Sequence, residues 1–323
     1  MYYYYFCKDP HLHYNPYLKK ILTLRSDWQV TTNPDKASFT GCSRRKKLLN
    51  DPYEDWSFFN RKEYLATLLH HGASYYPESH VIRNGKIPPT ITQQIFQNSR
   101  WFIKGNVSYG GKEVYLVTSL AELNSHIKAT KTYGTYILQK EIKPKLLNQN
   151  KFDMRWYIVV TSVANEKHVF IYDDGYVRRA KKPYLNGNKT PDRSAYLTNV
   201  THAFKKVKTE MMCNKELPNN IYDDAYPKIK LVVSQLFQEM LPALFKTPNN
   251  EGFTFLGIDV ILDETSAPYI LEVNNRVGFL PCLISDKMRQ MHEKLFDEMV
   301  DAIFIPILAK QPLKSIKGWH MVL

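Results

Sequence analysis

Two spacings of apolar residues run along the chain, one of period two and one of period 3.6, and they mark out strands and helices. Tyr2–Tyr5 reads as a half-buried first strand. From Arg61, the run RKEYLATLLHH puts Leu65, Leu68 and Leu69 on one helical face, and Gly72 ends it. A strand at His80–Arg83 is followed by the Pro88-Pro89 break and a short helix. RWFIK (Arg100–Lys104) and EVYLV (Glu113–Val117) read as strands on either side of a glycine loop. Ser119-Leu-Ala-Glu122 reads as a capping box that opens a helix. Further strands are expected at Tyr136–Lys140, Phe152–Thr161 and Val169–Tyr172, with a hairpin turn at Asp174-Gly175. A helix over Lys228–Leu244 precedes two core strands, Phe255–Leu262 and Tyr269–Val273, joined by a turn around Asp263–Ala267. An amphipathic helix from Ser285 to Leu308 closes the pattern, which predicts a mixed, strand-dominated α+β protein.

At 323 residues the chain has room for about two compact units, or three small ones. With 44% hydrophobic and 23% charged residues it can bury a sizeable core, which excludes a disordered chain, a collagen and a coiled coil. No apolar run approaches the ~18 residues of a membrane-spanning helix. The opening MYYYYFCKDP lacks a basic segment leading into an apolar stretch, and GWHMVL lacks a prenylation box, so neither secretion nor lipid anchoring is expected. Cys7, Cys42, Cys213 and Cys282 form no CxxC pair, which suits inert thiols in a reducing compartment better than disulfides or a zinc site. Lys and Arg number 44 against 31 Asp and Glu, a net charge of +13, and residues 140–215 alone hold 16 against 7. So concentrated a positive field points to an anionic partner: a nucleic acid, a phosphorylated small molecule or an acidic protein surface.

Three groups of polar residues stand inside or beside apolar strand sequence. Asp259 lies in GIDVIL, and Glu272 and Asn274 lie in YILEVNN. Carboxylates in such runs are costly to bury unless paired or bound to a cation. Glu272 and Asn274, two apart on a strand, share a face, and Asp259 on a neighbouring strand would complete an oxygen-rich set suited to Mg²⁺. Pairing with a buried Lys or Arg is the simpler alternative. Lys151, Asp153 and Arg155 alternate on one face of KFDMR, which suits a nucleotide's ribose and phosphates but also an exposed charged strand. The loop Lys104-Gly-Asn-Val-Ser-Tyr-Gly-Gly-Lys112 could bring backbone close to phosphate oxygens, or be a plain hairpin loop. It is not a Walker A loop, and Ser108 does not stand in GxSxG. His11/His13 and His70-His71 lack a third ligand at metal spacing.

Taken in order, KFDMR, LTN (Leu197-Thr198-Asn199) and the Asp259…EVN pair resemble the tubulin-tyrosine ligase and tubulin-tyrosine-ligase-like family of ATP-grasp amino-acid ligases. RKEYLATLL…YPESHVI is similar to the start of that family's central domain, WFIK to its strand bearing a phosphate-binding lysine, and ILQKEI to its hinge. YDDGYVRRAKKPY is similar to its hairpin with an Arg three residues after Gly. The resemblance covers about residues 60–290. Where the family usually has a Pro after the lysine, a continuing glycine-rich stretch and an aromatic in the hinge, this chain has Gly105, Glu113 and Glu141.

The resemblance implies an α+β ATP-grasp fold with the nucleotide held between two mainly antiparallel sheets. It implies a small N-terminal domain at 1–58, a central domain with the glycine loop at 59–134, and a C-terminal domain with the metal and amino-acid sites at 135–323. By position, Lys104 and Lys112 would contact ATP phosphates, while Gln139, Lys140 and the backbone of Glu141 and Ile142 would surround adenine. Lys151 and Asp153 would bind the nucleoside, and Thr198 and Asn199 would line its pocket. Arg155 would meet the γ-phosphate or acyl phosphate, Arg178 the carboxylate of the incoming amino acid, and Asp259, Glu272 and Asn274 would ligate Mg²⁺. The implied activity is ATP-dependent ligation of an amino acid, glutamate in preference to tyrosine or glycine, to an acidic protein tail such as that of tubulin. A monomer in the cytoplasm, or on microtubules, is the expected setting. The alternatives are a tyrosine ligase proper, a catalytically weak ATP- and microtubule-binding module, and a basic nucleic-acid binder, although no RRM, KH or zinc-finger motif favours the last.

Overall fold

The computed structural model describes residues 1–6, 15–41, 61–69, 72–107, 113–129, 134–163, 166–184, 192–198, 211–218, 220–244, 252–275, 277–279 and 285–323. β1 (Tyr2–Phe6), α1 (Asn15–Leu24), β2 (Trp28–Val30) and β3 (Phe39–Gly41) make a parallel sheet in the order β2-β1-β3. The tyrosine run is half-buried as expected, with Tyr4 inside and Tyr3 outside.

A second sheet follows from α2 (Lys62–Leu68), β4 (Ser79–Ile82), β5 (Trp101–Gly105), β6 (Val114–Val117), α3 (Leu120–Ala129) and β7 (Tyr136–Lys140). Its strands are antiparallel in the order β4-β7-β5-β6. Trp101 and Ile103 of β5 and Leu138 of β7 pack beneath Leu123 of α3. Side chains of the other parity, Phe102, Lys104 and Gln139, therefore face away from that core. Ser119 caps α3 by accepting from the Glu122 N–H at 3.1 Å. The Glu122 carboxylate reaches back to the Thr118 N–H, one residue beyond the predicted box.

The third and largest sheet uses β8 (Leu146–Leu147), β9 (Asn150–Val163), β10 (Glu166–Arg179), α4 (Arg193–Tyr196), β11 (Met212–Cys213), α5 (Ile221–Leu244), β12 (Gly252–Leu262), β13 (Pro268–Asn274), α6 (Asp286–Met299), α7 (Ile305–Leu308) and β14 (Trp319–Met321). It runs β11-β10-β9-β12-β13, all antiparallel, with β8 added to β9 and β14 to β10. Parity on β9 organises the core. Met154, Trp156, Ile158 and Val160 pack under α5, which begins at Ile221 rather than Lys228. Tyr157 and Val159 face α6 together with Phe253 and Phe255 of β12. That second face is the one that carries Lys151, Asp153 and Arg155 further back along β9. A single strand thus has an apolar half under a helix and a polar half that faces the second sheet.

Two expectations change. The closing helix is continuous from Asp286 to Leu308 but passes through a π-helical turn, Val300–Phe304, just before Pro306, whose missing N–H cannot continue an α-helical ladder. The hairpin turn expected at Asp174-Gly175 is not a turn: β10 runs through it, with a register shift against β9 between Ile171 and Gly175. A Cβ on Gly175 would lie 2.0 Å from the Arg155 carbonyl oxygen. Glycine serves close strand approach here, not chain reversal.

Among the described residues no helix is long and apolar enough to cross a membrane. Cys213 is a buried free thiol, pushed up to about 12 by burial and then by Asp174. Cys7, Cys42, Cys282, the four histidines noted above, the basic run 44–47 and the boundary at 58/59 lie outside the described residues.

Candidate active site

The polar faces of the second and third sheets meet across a cleft. Phe102, Lys104 and Gln139 line it from one side, and Lys151, Asp153, Arg178, Asp259 and Glu272 from the other. Ile142 stands at the chain crossing between the sheets, and Tyr196, Leu197 and Thr198 of the α4 segment cover part of the opening.

Strand register assembles the charged floor. Arg178 on β10 stands opposite Asp153 on β9, and Asp259 on β12 stands opposite Arg155. Arg178 Nε donates to Asp153 Oδ1 at 2.5 Å, and its Nη2 lies 2.9 Å from Asp259 Oδ2. Arg155 donates to both oxygens of Asp259, from Nε and, at 3.1 Å, from Nη2. Thr198 Oγ1 donates to Asp153 Oδ2 at 2.5 Å. Burial alone would raise the Asp259 carboxyl, but Arg155 and then Arg178 outweigh it and hold it well below the usual carboxylate range. Arg155 itself lies behind Asp259, packed under Gly257, where an added Cβ would come within 3.0 Å of its Nη1. It backs the floor rather than lining the cleft.

A bulge brings the second carboxylate in. Asp259 pairs with Glu272, but Val260 pairs with Ile270, so Leu271 is an extra residue on β13. Leu271 and Glu272 consequently both line the cleft, which strict alternation would forbid. Asn274 shares Glu272's face, as its spacing predicts, and donates from Nδ2 to Glu272 Oε1 at 3.1 Å. Lys62 at the start of α2 reaches across to Glu272 Oε2 at 3.6 Å.

Lysines reach into the cleft from both sheets. Burial pulls Lys104 down to about 8; Glu272 and Asp259 oppose this, while Lys62 and Lys151 add to it. Its Nζ donates to Gln139 Oε1 at 2.5 Å. Lys151 is likewise lowered by burial against the pull of Glu141 and Asp153, and its Nζ sits 4.7 Å from the centre of the Phe102 ring. Five cationic side chains and three carboxylates line the cleft, so it carries a positive excess in a confined, partly apolar space.

The hinge residues divide. The Ile142 side chain enters the cleft, and Lys140 borders it but extends its ammonium to Glu78 at 3.2 Å. Glu141 turns to the back of the hinge, where its carboxylate pairs with Arg100 at 2.6 Å and its N–H donates to the Arg100 carbonyl. Lys112 and Asn199 lie outside the described residues.

Among the described residues no group of three or more His, Cys, Asp or Glu side chains is arranged to hold a metal ion by itself. Of the expected set, Glu272 and Asn274 offer a carboxylate and an amide that suit a hard divalent cation, whereas both oxygens of Asp259 are engaged by Arg155 and Arg178, the pairing with buried Arg that the sequence left as the simpler alternative. The ammonium of Lys62 beside Glu272 marks the same spot as favourable for positive charge.

Sequence reading missed Lys62, Leu271 and the apolar wall of Phe102, Ile261 and Leu197. Lys62 had a signal: a lysine in the first turn of a helix opposes the helix dipole and asks for a reason. The bulge at Leu271 had none.

Residues 40–312 match the family model for the tubulin-tyrosine ligase family. Among curated relatives, the tubulin polyglutamylase ttll-5 of Caenorhabditis elegans is 22% identical over 245 residues, covering 67% of this chain and 32% of the relative. The tubulin polyglutamylase TTLL7 of Xenopus tropicalis is 30% identical over 165 residues, covering 42% and 18%. The tubulin glycylase 3E of Tetrahymena thermophila is 26% identical over 224 residues, covering 61% and 16%. The chain thus spans a third or less of the length of these relatives. With a family model matched over most of its length, the chain belongs to the tubulin-tyrosine ligase family.

Proposed function

We propose that this chain is an ATP-dependent ligase that joins an amino acid, glutamate, to a carboxylate of an acidic protein tail such as that of tubulin. The observation that carries the reading is the cleft itself: five cations and three carboxylates over a partly apolar wall, between two antiparallel sheets. A nucleoside triphosphate matches that distribution, with its base against Phe102, Ile142, Leu197 and Ile261, Lys151 beside the nucleoside and its phosphates toward Lys62 and Lys104. Glu272 and Asn274 would hold Mg²⁺, which neutralises phosphate charge and orients the terminal phosphate. In this reading the acceptor carboxylate attacks the γ-phosphorus of ATP and ADP leaves, and the amine of the amino acid then attacks the acyl phosphate carbon, releasing phosphate and a proton as the amide forms. Donor, acceptor and phosphates are all anionic, so alignment and charge neutralisation by this chain's lysines supply most of the acceleration. Arg178, which stands on the floor between Asp153 and Asp259, would take the carboxylate of the incoming amino acid. The excess positive charge of residues 140–215 would draw in an acidic tail, in the cytoplasm or on microtubules.

Relatives named as polyglutamylases and as a glycylase make the donor the point to test. Purified protein is incubated with tubulin, ATP and Mg²⁺, with radiolabelled glutamate, glycine and tyrosine offered separately. Incorporation of glutamate alone, lost on Glu272→Gln, is the expected result. Glycine or tyrosine in its place would change the donor, and ATP binding without any incorporation would leave a binding module.

A further inference from the structure

We propose that Ser79 is a positioning residue for Lys104, acting through the side-chain amide of Gln139. The three residues stand on three neighbouring strands: Ser79 on β4 pairs directly with Gln139 on β7, and Lys104 on β5 lies one diagonal step further. Their hydrogen bonds form one line across the sheet. Lys104 Nζ donates to Gln139 Oε1 at 2.5 Å, Gln139 Nε2 donates to Ser79 Oγ at 3.1 Å, and Ser79 Oγ donates to the Pro77 carbonyl at 2.8 Å.

The polarity of this line follows from chemistry. An ammonium can only donate, so the amide must turn its oxygen to Lys104 and its NH₂ away. That NH₂ then needs an acceptor, because Gln139 is 3% exposed and water cannot replace one freely. Ser79 Oγ is free to accept since its own proton is committed to the Pro77 carbonyl. The serine thereby locks the amide in the orientation that serves Lys104. With both ends engaged, the Gln139 side chain does not read a base; it fixes where the ammonium stands on the cleft wall. Without Ser79, the Gln139 NH₂ keeps only the buried Tyr76 hydroxyl beside it, its amide is held less firmly, and the Lys104 side chain gains freedom to swing into the open cleft.

The consequence for ligands rests on the reading of the cleft as a nucleotide site, so the experiment has one arm that does not. Full-length wild type, Ser79→Ala and Ser79→Thr are treated with a lysine-acylating reagent without nucleotide, and labelling of each lysine is followed by peptide mass spectrometry. The same proteins are titrated with ATP·Mg²⁺. Loss of one buried hydrogen bond corresponds to a change of about threefold to tenfold. Lys104 should label faster by about that factor in Ser79→Ala, with other lysines unchanged, and ATP·Mg²⁺ should bind correspondingly more weakly. Ser79→Thr, which keeps the hydroxyl, should restore both. A wild-type labelling rate at Lys104 in Ser79→Ala would overturn the proposal, as would a rise shared by all lysines or a failure of Ser79→Thr to rescue. If ATP·Mg²⁺ neither binds wild type nor protects Lys104, the nucleotide reading falls, and the labelling ratio still decides the role of Ser79.

Discussion

Asp259 and Glu272 are cross-strand partners, yet their surroundings give opposite expectations for the same kind of substitution. Asp259 is sealed between Arg155 and Arg178. Asp259→Asn would leave the buried Arg155 guanidinium short of a counter-charge and Arg178 with Asp153 alone, at a cost of about 3 kcal/mol or more. Glu272 has a side chain 29% exposed and a loose contact with Lys62, so Glu272→Gln should change stability by less than about 1 kcal/mol while removing Mg²⁺-dependent nucleotide affinity. Urea unfolding and ATP·Mg²⁺ titration of the two variants separate the roles, and equal destabilisation would mean that Glu272 is also a structural charge. Lys104 gives a pH expectation. Burial brings its ammonium down to about 8, with Glu272 and Asp259 on one side of the balance and Lys62 and Lys151 on the other. Below about 8 the charged form attracts phosphate. Above it the proton is lost, and affinity for ATP·Mg²⁺ should fall by up to about tenfold per pH unit. Lys104→Met should bind weakly at every pH and remove that limb of the profile; a limb that persists in Lys104→Met would assign it to another group.

Elements were legible in sequence wherever a period ran unbroken and illegible wherever one residue interrupted it. Tyr136–Lys140 was found at its observed limits, and the shared face of Glu272 and Asn274 followed from strand parity alone. The extra residue at Leu271 hid the cleft-facing pair it creates, because a bulge is a property of two strands in register and not of either sequence. Asp174-Gly175 misled for the opposite reason. Its composition is that of a turn, but its glycine is required by the Arg155 carbonyl on the neighbouring strand. That contact makes a prediction about the element. In Gly175→Ala the new Cβ would meet the Arg155 oxygen at 2.0 Å and Asn214 Nδ2 at 2.8 Å, so β10 must move off β9. A loss of about 3 kcal/mol is expected, together with weaker ligand binding, since Arg178 sits three residues along the displaced strand. Gly278→Ala, where a Cβ meets nothing within 4 Å, is the matched control. Equal stability of the two variants in urea would remove close strand approach as the reason for Gly175.

For the molecule as a whole, the cleft's ingredients could be read in order along the chain, whereas the support beneath it could not, because it comes from long-range packing. α6 is the clearest case. One side of it packs on Tyr157 and Phe255, on the sheet face that carries the cleft's charges further along, and the other meets the N-terminal unit through Arg25, which bonds Asp297 at 2.8 Å and, in the π-helical turn that follows, Asp301 at 2.7 Å. Between them His292, fully buried, has Nδ1 2.7 Å from the Met288 carbonyl, and its Nε2 meets the Tyr157 hydroxyl. A carbonyl can only accept, so Nδ1 carries the proton and Nε2 accepts from Tyr157, which satisfies a neutral imidazole completely. Burial accordingly pulls His292 down to about 4, with the Met288 carbonyl opposing. Between about 4 and the ordinary 6.5 the unfolded chain binds the extra proton and the folded one does not, so stability falls as pH drops through that window. The full loss is about 3 kcal/mol. Asp174, raised to about 6 by burial, works in the opposite sense over part of the same range, so the informative quantity is a difference between variants. His292→Gln keeps an acceptor for Tyr157 and cannot titrate. From pH 6.5 to 4, wild type should lose about 3 kcal/mol more than His292→Gln in urea unfolding, with fluorescence of Trp28 in the N-terminal unit and Trp156 beneath the cleft changing together because α6 packs on β9, the strand that carries Trp156 on its other face. Superimposable acid profiles would show that His292 is already charged in the folded state. Separate transitions for the two tryptophans would show that α6 does not bind the N-terminal unit to the sheet as one cooperative body.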